Sequence, residues 1–163
     1  MNIHIIIGPL CSGKTHLLKT DYVKYDTIDI GDIVRRLKPS DVRVFDQDLD
    51  QLIMMELRMS IIDAIESKTD LVIAGIRQLS ILLGTETFIK AHQLNPKKKI
   101  KYSRFFLNTD ITVRKERFES RKDSKDKTLT FSQADERDNK LGLKQLTNYC
   151  LVANSQNTII KNT

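Results

Sequence analysis

Long apolar runs and cysteines are scarce in this chain. No segment approaches the roughly 20 apolar residues that a membrane-spanning helix needs, so we expect no membrane partner. The amino-terminal residues lack the basic start of a signal peptide, and we expect a strand there. Cys11 and Cys150 lie far apart in the sequence, which predicts reduced thiols in a cytoplasmic protein.

Tryptophan is absent, proline occurs three times and glycine six times among 163 residues. The chain also lacks internal repeats, linkers and low-complexity tracts. The remaining composition, 40% apolar and 29% charged, is ordinary for a globular protein of this length. We therefore expect residues 1–163 to form a single domain, large enough for a central sheet covered by helices.

Acidic residues are outnumbered by basic ones. Lys and Arg total 27 against 21 for Asp and Glu, a net charge of +6. The basic residues concentrate at 97–104 and 114–127. Binding of a polyanion would explain this excess, and so would an enzyme that holds two sets of phosphates. A solvated charged surface is the simpler explanation for residues 97–104.

The most specific pattern in the chain is a glycine-rich loop at residues 8–15, which we call the phosphate loop. It reads Gly-Pro-Leu-Cys-Ser-Gly-Lys-Thr and matches G-x-x-x-x-G-K-[ST] between an apolar run and a predicted helix. Backbone N–H groups of such a loop point at an anion, and the helix adds its positive end. Lys14 can reach the β- and γ-phosphates, and the Thr15 hydroxyl can bind Mg²⁺. The predicted ATP site comprises Gly8, Cys11, Ser12, Gly13, Lys14 and Thr15.

Strands alternate with helices along the chain. We predict strands at residues 3–7, 24–30, 70–76, 99–107 and 149–153, with a candidate for a short extra strand at 158–160. We predict helices at residues 15–19, 31–37, 46–67, 78–94, 110–122 and 131–146. This alternation is typical of an α/β fold whose five-stranded, mostly parallel sheet has right-handed crossovers and helices on both faces.

Ligands of parallel sheets collect at the carboxyl ends of the strands, so the residues that follow each strand are candidates for the site. These residues are Asp29, Asp32 and Arg35 after the second strand, Gly75, Arg77 and Gln78 after the third, Arg114, Arg117 and Arg121 after the fourth, and Asn154 after the fifth. So many arginines beside an ATP loop suit phosphoryl transfer, because donor and acceptor phosphates must be brought together against their repulsion.

These segments resemble the nucleoside monophosphate kinases, especially adenylate kinase. Residues 28–35 (Ile-Asp-Ile-Gly-Asp-Ile-Val-Arg) are similar to that family's I-S-T-G-D-L-L-R segment, and residues 72–77 are similar to its strand ending in D-G-F-P-R. The resemblance implies a P-loop NTPase fold with Arg35 and Arg77 on the phosphate of an acceptor nucleotide. It also implies an acceptor-binding part at about residues 30–68, with Asp32, Gly75 and Gln78 at the same site.

Dephospho-coenzyme A kinases and an archaeal group related to them read similarly. In the former, an I-D-A-D segment follows the second strand, and Asp29 falls on its first Asp, the presumed base. In the archaeal group, a strand ending D-G-I-R-S is followed by F-x-x-R-D-x-R-E-x-x-x-G-I, to which residues 131–143 are similar. A divergent phage-type kinase of deoxynucleoside monophosphates would fit the small size.

In the resembled family, the helix that follows the fourth strand leads into a mobile lid. Here Arg114, Arg117 and Arg121 form one stripe of that helix. The resemblance implies a short lid at about residues 117–135, in which Arg117 and Arg121 act on the transferring phosphoryl group. The polar part of this lid, residues 122–130, has no Cys or His and therefore no zinc site. Asn154 falls on the family's adenine loop.

Two features depart from the family. Ala74 stands where the family has an acidic residue that holds Mg²⁺ through water. Binding of Mg²⁺ would then depend on Thr15, the phosphates, and Asp29 or Asp32. The proline of G-F-P-R is also missing, so the loop that carries Arg77 is one residue shorter.

From the sequence we predict an enzyme that moves the γ-phosphoryl group of ATP to a (deoxy)nucleoside monophosphate, with Mg²⁺ as cofactor. The predicted catalytic residues are Lys14, Asp29, Arg117 and Arg121. Two alternatives stay open: a kinase that phosphorylates a hydroxyl of dephospho-coenzyme A or of a modified base or end in DNA, and a non-catalytic nucleotide-binding module. Small nucleotides are the expected partners, with nucleic acid as second choice.

Overall fold

A five-stranded parallel sheet forms the centre of the protein. The computed structural model describes residues 1–38, 47–121, 129–152 and 158–162. The strands are β1 (Asn2–Ile7), β2 (Asp26–Asp29), β3 (Leu71–Ala74), β4 (Lys101–Asn108) and β5 (Thr158–Asn162), in the order β2-β3-β1-β4-β5. Each neighbouring pair is parallel, so the sheet is wholly rather than mostly parallel. The carboxyl ends of the strands therefore lie at one edge of the sheet.

Seven helices connect the strands within the described residues. They are α1 (Lys14–Thr20), α2 (Ile30–Leu37), α3 (Gln47–Ser67), α4 (Leu79–Gln93), α5 (Ile111–Glu119), α6 (Phe131–Lys140) and α7 (Leu143–Val152). Side-chain caps begin several of them: Asp110 accepts a hydrogen bond from the Thr112 N–H, and Thr130 forms a capping box with Gln133. In this part of the chain, no helix combines the length and the apolar character needed to cross a membrane.

The core lies on both faces of the sheet, as expected. On one face Ile3 and Ile5 of β1 pack into a large cluster with α2, α3, α4 and α7. On the other face Ile6 packs in a smaller cluster with Tyr22 and the apolar residues of α1. Burial of β1 on both sides explains its nearly continuous isoleucines, since a central parallel strand has no solvent-facing side.

The prediction of a strand at residues 149–153 is wrong. Residues 149–152 belong to α7, in which Leu143, Leu146 and Cys150 are buried at a spacing typical of a helix. The apolar run that suggested a strand continues this helical stripe, and run length alone does not distinguish the two. The fifth strand is instead β5, which includes the candidate extra strand at 158–160.

The predicted helix at residues 131–146 is two helices. Gly142 lies between α6 and α7 with a φ of +108°, a left-handed conformation that ends a helix and favours glycine. The sequence contained this signal, but the helical pattern on both sides of Gly142 concealed it.

A buried ion pair joins β4 to α4. Arg104 and Glu86 are 1% and 5% exposed, and their side chains are paired. The Tyr102 hydroxyl donates to the same Glu86 carboxylate at 2.5 Å, and Arg104 Nε donates to the Thr158 hydroxyl at 2.8 Å. Since Thr158 begins β5, this network connects the edge strand to the core.

Breaking this pair from one side should destabilise the protein strongly. Arg104→Met leaves the Glu86 carboxylate buried without its counter-charge, and we expect a loss of about 3–5 kcal/mol in urea unfolding. The double variant Glu86→Gln/Arg104→Met keeps an acceptor for Tyr102 without a buried charge and should recover most of that loss. Equal destabilisation of the two variants would contradict the electrostatic explanation.

Candidate active site

A cavity of about 580 Å³ opens where the strands end. The structure brings most of the candidate residues together in its wall. Those that line it are Cys11, Ser12, Gly13, Lys14, Thr15, Asp29, Arg35, Gly75, Arg77, Arg117 and Arg121. They come from the phosphate loop, from the ends of β2 and β3, and from α5 and the residues that follow it.

The phosphate loop turns tightly between β1 and α1. Cys11 and Gly13 both have positive φ angles, 58° and 96°, and the Ser12 N–H donates to the Pro9 carbonyl at 3.2 Å. A Cβ on Gly8 would lie 2.5 Å from Ser12 Oγ, so the loop closes only with glycine there. Gly13 is also the N-cap residue of α1, so the first N–H groups of the helix lie directly after the loop.

Lys14 is held by the loop that precedes it. Its ammonium group donates to the carbonyls of Gly8 and Pro9, each at 2.7 Å, and to Ser12 Oγ at 3.3 Å. Burial, followed by the nearby Arg77 guanidinium, lowers the pKa of Lys14 to about 8. The ammonium form of Lys14 is therefore only moderately stable, and an anion bound beside it would stabilise that form.

Asp29, Arg35 and two glycines meet in the part of the site formed by the ends of β2 and β3. Asp29 is the N-cap residue of α2, and its Oδ1 accepts a hydrogen bond from the Gly31 N–H at 2.8 Å. A Cβ on Gly31 would lie 3.3 Å from Arg35 Nη1, so the guanidinium of Arg35 folds back over this turn. Gly75 has a φ of +86°, and a Cβ there would lie 2.8 Å from Asp29 Oδ1. Glycine at 75 therefore permits the close approach of β3 to the Asp29 carboxylate.

Arg77 also lines the cavity, and a buried carboxylate pairs with it. Its Nε lies 3.0 Å from Oδ2 of Asp138, a carboxylate of α6 with 2% exposure. Arg137, the residue before Asp138 on α6, also lines the cavity. The sequence prediction did not include these two residues in the site. Both had a signal in the resembled F-x-x-R-D-x-R-E segment, since its second Arg falls on Arg137 and its Glu falls on Asp138.

The three arginines predicted to form one helical stripe divide into two groups. Arg114 and Arg117 belong to α5, whereas Arg121 follows its end. Arg114 pairs with Asp135 of α6 at 2.6 Å and lies 5.5 Å from the ring centre of Phe131, which makes it a connection between helices. Arg117 lines the cavity, and its Nη1 donates to the Cys11 carbonyl at 3.4 Å. Arg121 also lines the cavity. The stripe therefore contributes two cations to the site.

Three described candidates do not line the cavity, and a fourth falls outside the described residues. Gly8 shapes the loop without lining the cavity, and Asp32 is an exposed partner of Arg35. Gln78 is the N-cap residue of α4 and lies beside the α6–α7 break. Asn154 falls outside the described residues, as do residues 122–128 of the predicted lid. The strand that placed Asn154 in the adenine loop is a helix, so that reason for the assignment is lost.

Positive charge dominates this cavity. Among the described residues six cationic side chains line it: Lys14, Arg35, Arg77, Arg117, Arg121 and Arg137. One carboxylate, that of Asp29, lines it with them. A cleft lined by charges of one sign raises the local concentration of the opposite ion. The cavity is therefore suited to a ligand, or a pair of ligands, with several negative charges.

The comparisons with known proteins identify the fold. No protein-family model and no curated protein match this chain. It is similar to the structure of a sugar kinase from Janibacter sp. HTCC2649, with a TM-score of 0.61 and 10% identity over 99% of this chain and 84% of the other. It is also similar to a gluconokinase from Sinorhizobium meliloti 1021, with a TM-score of 0.60 and 15% identity over 99% and 82%. The chain therefore shares the fold of these proteins, in agreement with the expected P-loop NTPase fold, while membership of the nucleoside monophosphate kinases stays a prediction.

The lowered pKa of Lys14 predicts proton uptake when the loop binds a nucleotide. In protein without nucleotide, much of Lys14 is neutral above about pH 8. The phosphates of a bound nucleotide raise its pKa and restore its charge. Affinity for Mg²⁺-ADP should fall as the pH rises through this value, approaching about tenfold per pH unit. Calorimetry in buffers of different ionisation enthalpy should detect nearly one proton taken up at about pH 9 and little at about pH 7.

Lys14→Met is the matched control for this measurement, because it removes the titrating group and keeps an unbranched side chain. The variant should bind more weakly and without this proton uptake. Identical uptake in the wild-type protein and in Lys14→Met would contradict the assignment of the proton to Lys14.

Proposed function

We propose that the protein transfers the γ-phosphoryl group of ATP to a (deoxy)nucleoside monophosphate. The observation that carries this proposal is the convergence of the phosphate loop with Arg35 and Arg77 on one cavity. Two phosphate-bearing substrates need cationic groups on both sides of the transferred group, and this cavity draws its cations both from the phosphate loop and from the segments after β2 and β3.

ATP would occupy the side of the phosphate loop. Its N–H groups and Lys14 would bind the β- and γ-phosphates, and the positions of Arg117 and Arg121 in the cavity wall support a role near the transferring group. Since the phosphate of a nucleoside monophosphate is already ionised, its attack needs no base. The residues would act by positioning both substrates and neutralising charge in the transition state.

The acceptor would occupy the side of β2 and β3. Arg35 and Arg77 follow these neighbouring strands, and both line the cavity. A guanidinium binds a phosphate through two parallel hydrogen bonds, so two arginines fix both the position and the orientation of the acceptor phosphate.

Magnesium is the proposed cofactor, and the donor set of the cavity fits it. Mg²⁺ prefers a few carboxylate or hydroxyl oxygens together with substrate phosphates, and the Thr15 hydroxyl and the Asp29 carboxylate both line the cavity. Ala74 supplies no carboxylate at the end of β3, but it pairs in register with Asp29 on β2. A carboxylate therefore stands one strand away at the same level. The bound ion would neutralise charge on the β- and γ-phosphates.

Asp29→Asn should weaken metal binding without unfolding the protein, since asparagine also caps a helix. We expect the affinity of the ADP complex for Mn²⁺, measured by electron paramagnetic resonance, to fall by about tenfold or more. Asp26→Asn is the control, because Asp26 is an exposed carboxylate on the same strand. Unchanged Mn²⁺ affinity in Asp29→Asn would remove Asp29 from the metal site.

A second candidate function is phosphorylation of a hydroxyl on a small anionic acceptor. Asp29 favours it, because a carboxylate among cations at the acceptor side is placed to take a proton from a hydroxyl. The structural neighbours also favour it, since they are described as a sugar kinase and a gluconokinase. Arg35 and Arg77 would then bind the anionic group of that acceptor.

Labelled ATP should decide between these functions. The protein would be given ATP and Mg²⁺ with each nucleoside monophosphate, dephospho-coenzyme A, gluconate, and single- and double-stranded DNA. We expect label in a nucleoside diphosphate. Arg35→Ala and Arg77→Ala should each lower kcat/KM for the acceptor by about 10- to 150-fold, equivalent to about 1.5–3 kcal/mol, with little change in ATP binding.

Arg36→Ala is the control for that experiment, because Arg36 is an exposed arginine of the same helix and pairs with Glu56. Label in gluconate or dephospho-coenzyme A, lost in Asp29→Asn, would give the function to a hydroxyl kinase. Label only in DNA, at a rate that falls steeply with salt, would indicate a polymer kinase. ATP binding with no transfer to any acceptor would indicate the non-catalytic module.

A further inference from the structure

Helix α6 pairs with two arginines, one on α5 and one that lines the cavity. Asp135 and Asp138 lie one turn apart on this helix. Asp135 pairs with Arg114 of α5, whereas Asp138 pairs with Arg77 in the loop after β3. Arg77 faces the cavity, so the second of these pairs connects α6 directly to the acceptor side of the proposed site.

The Arg77–Asp138 ion pair is largely buried. The side chain of Asp138 is 2% exposed and that of Arg77 is 22% exposed. Within the described part of the chain, Asp138 Oδ1 is buried without a hydrogen-bond partner. Removing a carboxylate from water is costly, and replacement of such pairs by apolar residues is often neutral or stabilising. Stability alone is therefore a poor explanation for a carboxylate at position 138.

The atoms in contact suggest what the carboxylate does. Asp138 binds Nε, the guanidinium nitrogen nearest the backbone, at 3.0 Å. Arginine has a long flexible side chain, and a buried carboxylate paired with its Nε restricts the positions that the guanidinium can adopt. The two terminal nitrogens then form a fork of defined direction, which is the group that binds a phosphate or carboxylate through two hydrogen bonds.

Helix α6 also packs against the donor side. Its Ala134 is fully buried in a small cluster with Leu10 and Cys11 of the phosphate loop. Arg114, held by Asp135, donates to the Leu10 carbonyl at 3.5 Å. One short helix therefore contacts both the loop for the donor phosphates and the arginine for the acceptor.

We propose that Asp138 is a positioning residue for Arg77 that orients its guanidinium toward the anionic group of the acceptor. This inference rests on the proposed function, because it assumes that Arg77 binds an acceptor phosphate. Asp138 acts through Arg77 and does not touch the substrate. Helix α6 thereby sets the spacing between the acceptor group and the phosphate loop.

The first test needs no activity. In the wild-type protein the Arg77 Nε–H should give a distinct, slowly exchanging resonance in ¹⁵N–¹H spectra, assigned by its loss in Arg77→Lys. Asp138→Asn should shift this resonance and speed its exchange with water, because a neutral amide no longer holds the guanidinium by charge. Glu136→Gln, an exposed change on the same helix, should leave it unchanged. An unaltered resonance in Asp138→Asn would overturn the proposal.

The second test is kinetic. Asp138→Asn should raise KM for the nucleoside monophosphate by about tenfold, and Asp138→Leu should raise it further, with the affinity for Mg²⁺-ADP kept within about twofold. In an Arg77→Lys background the same changes should have little effect, since no guanidinium remains to be oriented. Unchanged acceptor KM together with a lost resonance would make the contact merely structural. Tighter acceptor binding in Asp138→Asn or Asp138→Leu would overturn the proposal, because it would show that Asp138 holds Arg77 away from the acceptor.

Failure of the proposed function can be told apart from failure of this inference. If no nucleoside monophosphate is phosphorylated, inorganic phosphate is titrated by calorimetry into protein saturated with a non-hydrolysable ATP analogue. Phosphate binding that is weaker in Asp138→Asn and unchanged in Glu136→Gln would support the positioning role without nucleotide turnover. Equal phosphate binding, or none, in the wild-type protein and Asp138→Asn would overturn it.

Discussion

Repulsion among cations is the constraint on which this site depends. In the described part of the chain six positive side chains line one cavity, and each must be kept there before any anion is present. The protein offsets the repulsion with acceptors placed behind the cations. Arg35 has Asp32, Arg77 has Asp138, and Lys14 and Arg117 have carbonyls of the phosphate loop. Each contact reduces the cost of gathering positive charge and leaves the charge available to a ligand.

The parallel sheet makes this arrangement possible. Because each neighbouring pair of strands is parallel, the turns after β1, β2 and β3 open at the same edge, and side chains distant in sequence meet there. Helices α2 and α6 then supply the Asp32 and Asp138 carboxylates, and the phosphate loop supplies carbonyls. Glycine at 75 lets the end of β3 approach Asp29, so the acceptor side stays compact although it includes a carboxylate among its arginines.

The sequence predicted those features that short stretches of the chain determine by themselves. The phosphate loop and the strands β1 to β4 follow from short-range signals, and the sheet then placed Asp29, Arg35 and Arg77 together. The strand at 149–153 was wrong because a short apolar run fits a buried helix equally well. Asp138 falls on the Glu of the resembled segment but was missed, because its partner Arg77 lies on another element and the segment alone does not predict that contact.

The left-handed residue Gly142 has a consequence for the geometry of the site. It divides α6, which contacts both the phosphate loop and Arg77, from α7, which packs in the main core. A side chain at position 142 would strain the backbone between the two helices. The direction of α6, and with it the placement of Asp138 beside Arg77, therefore depends on a residue that does not itself line the cavity.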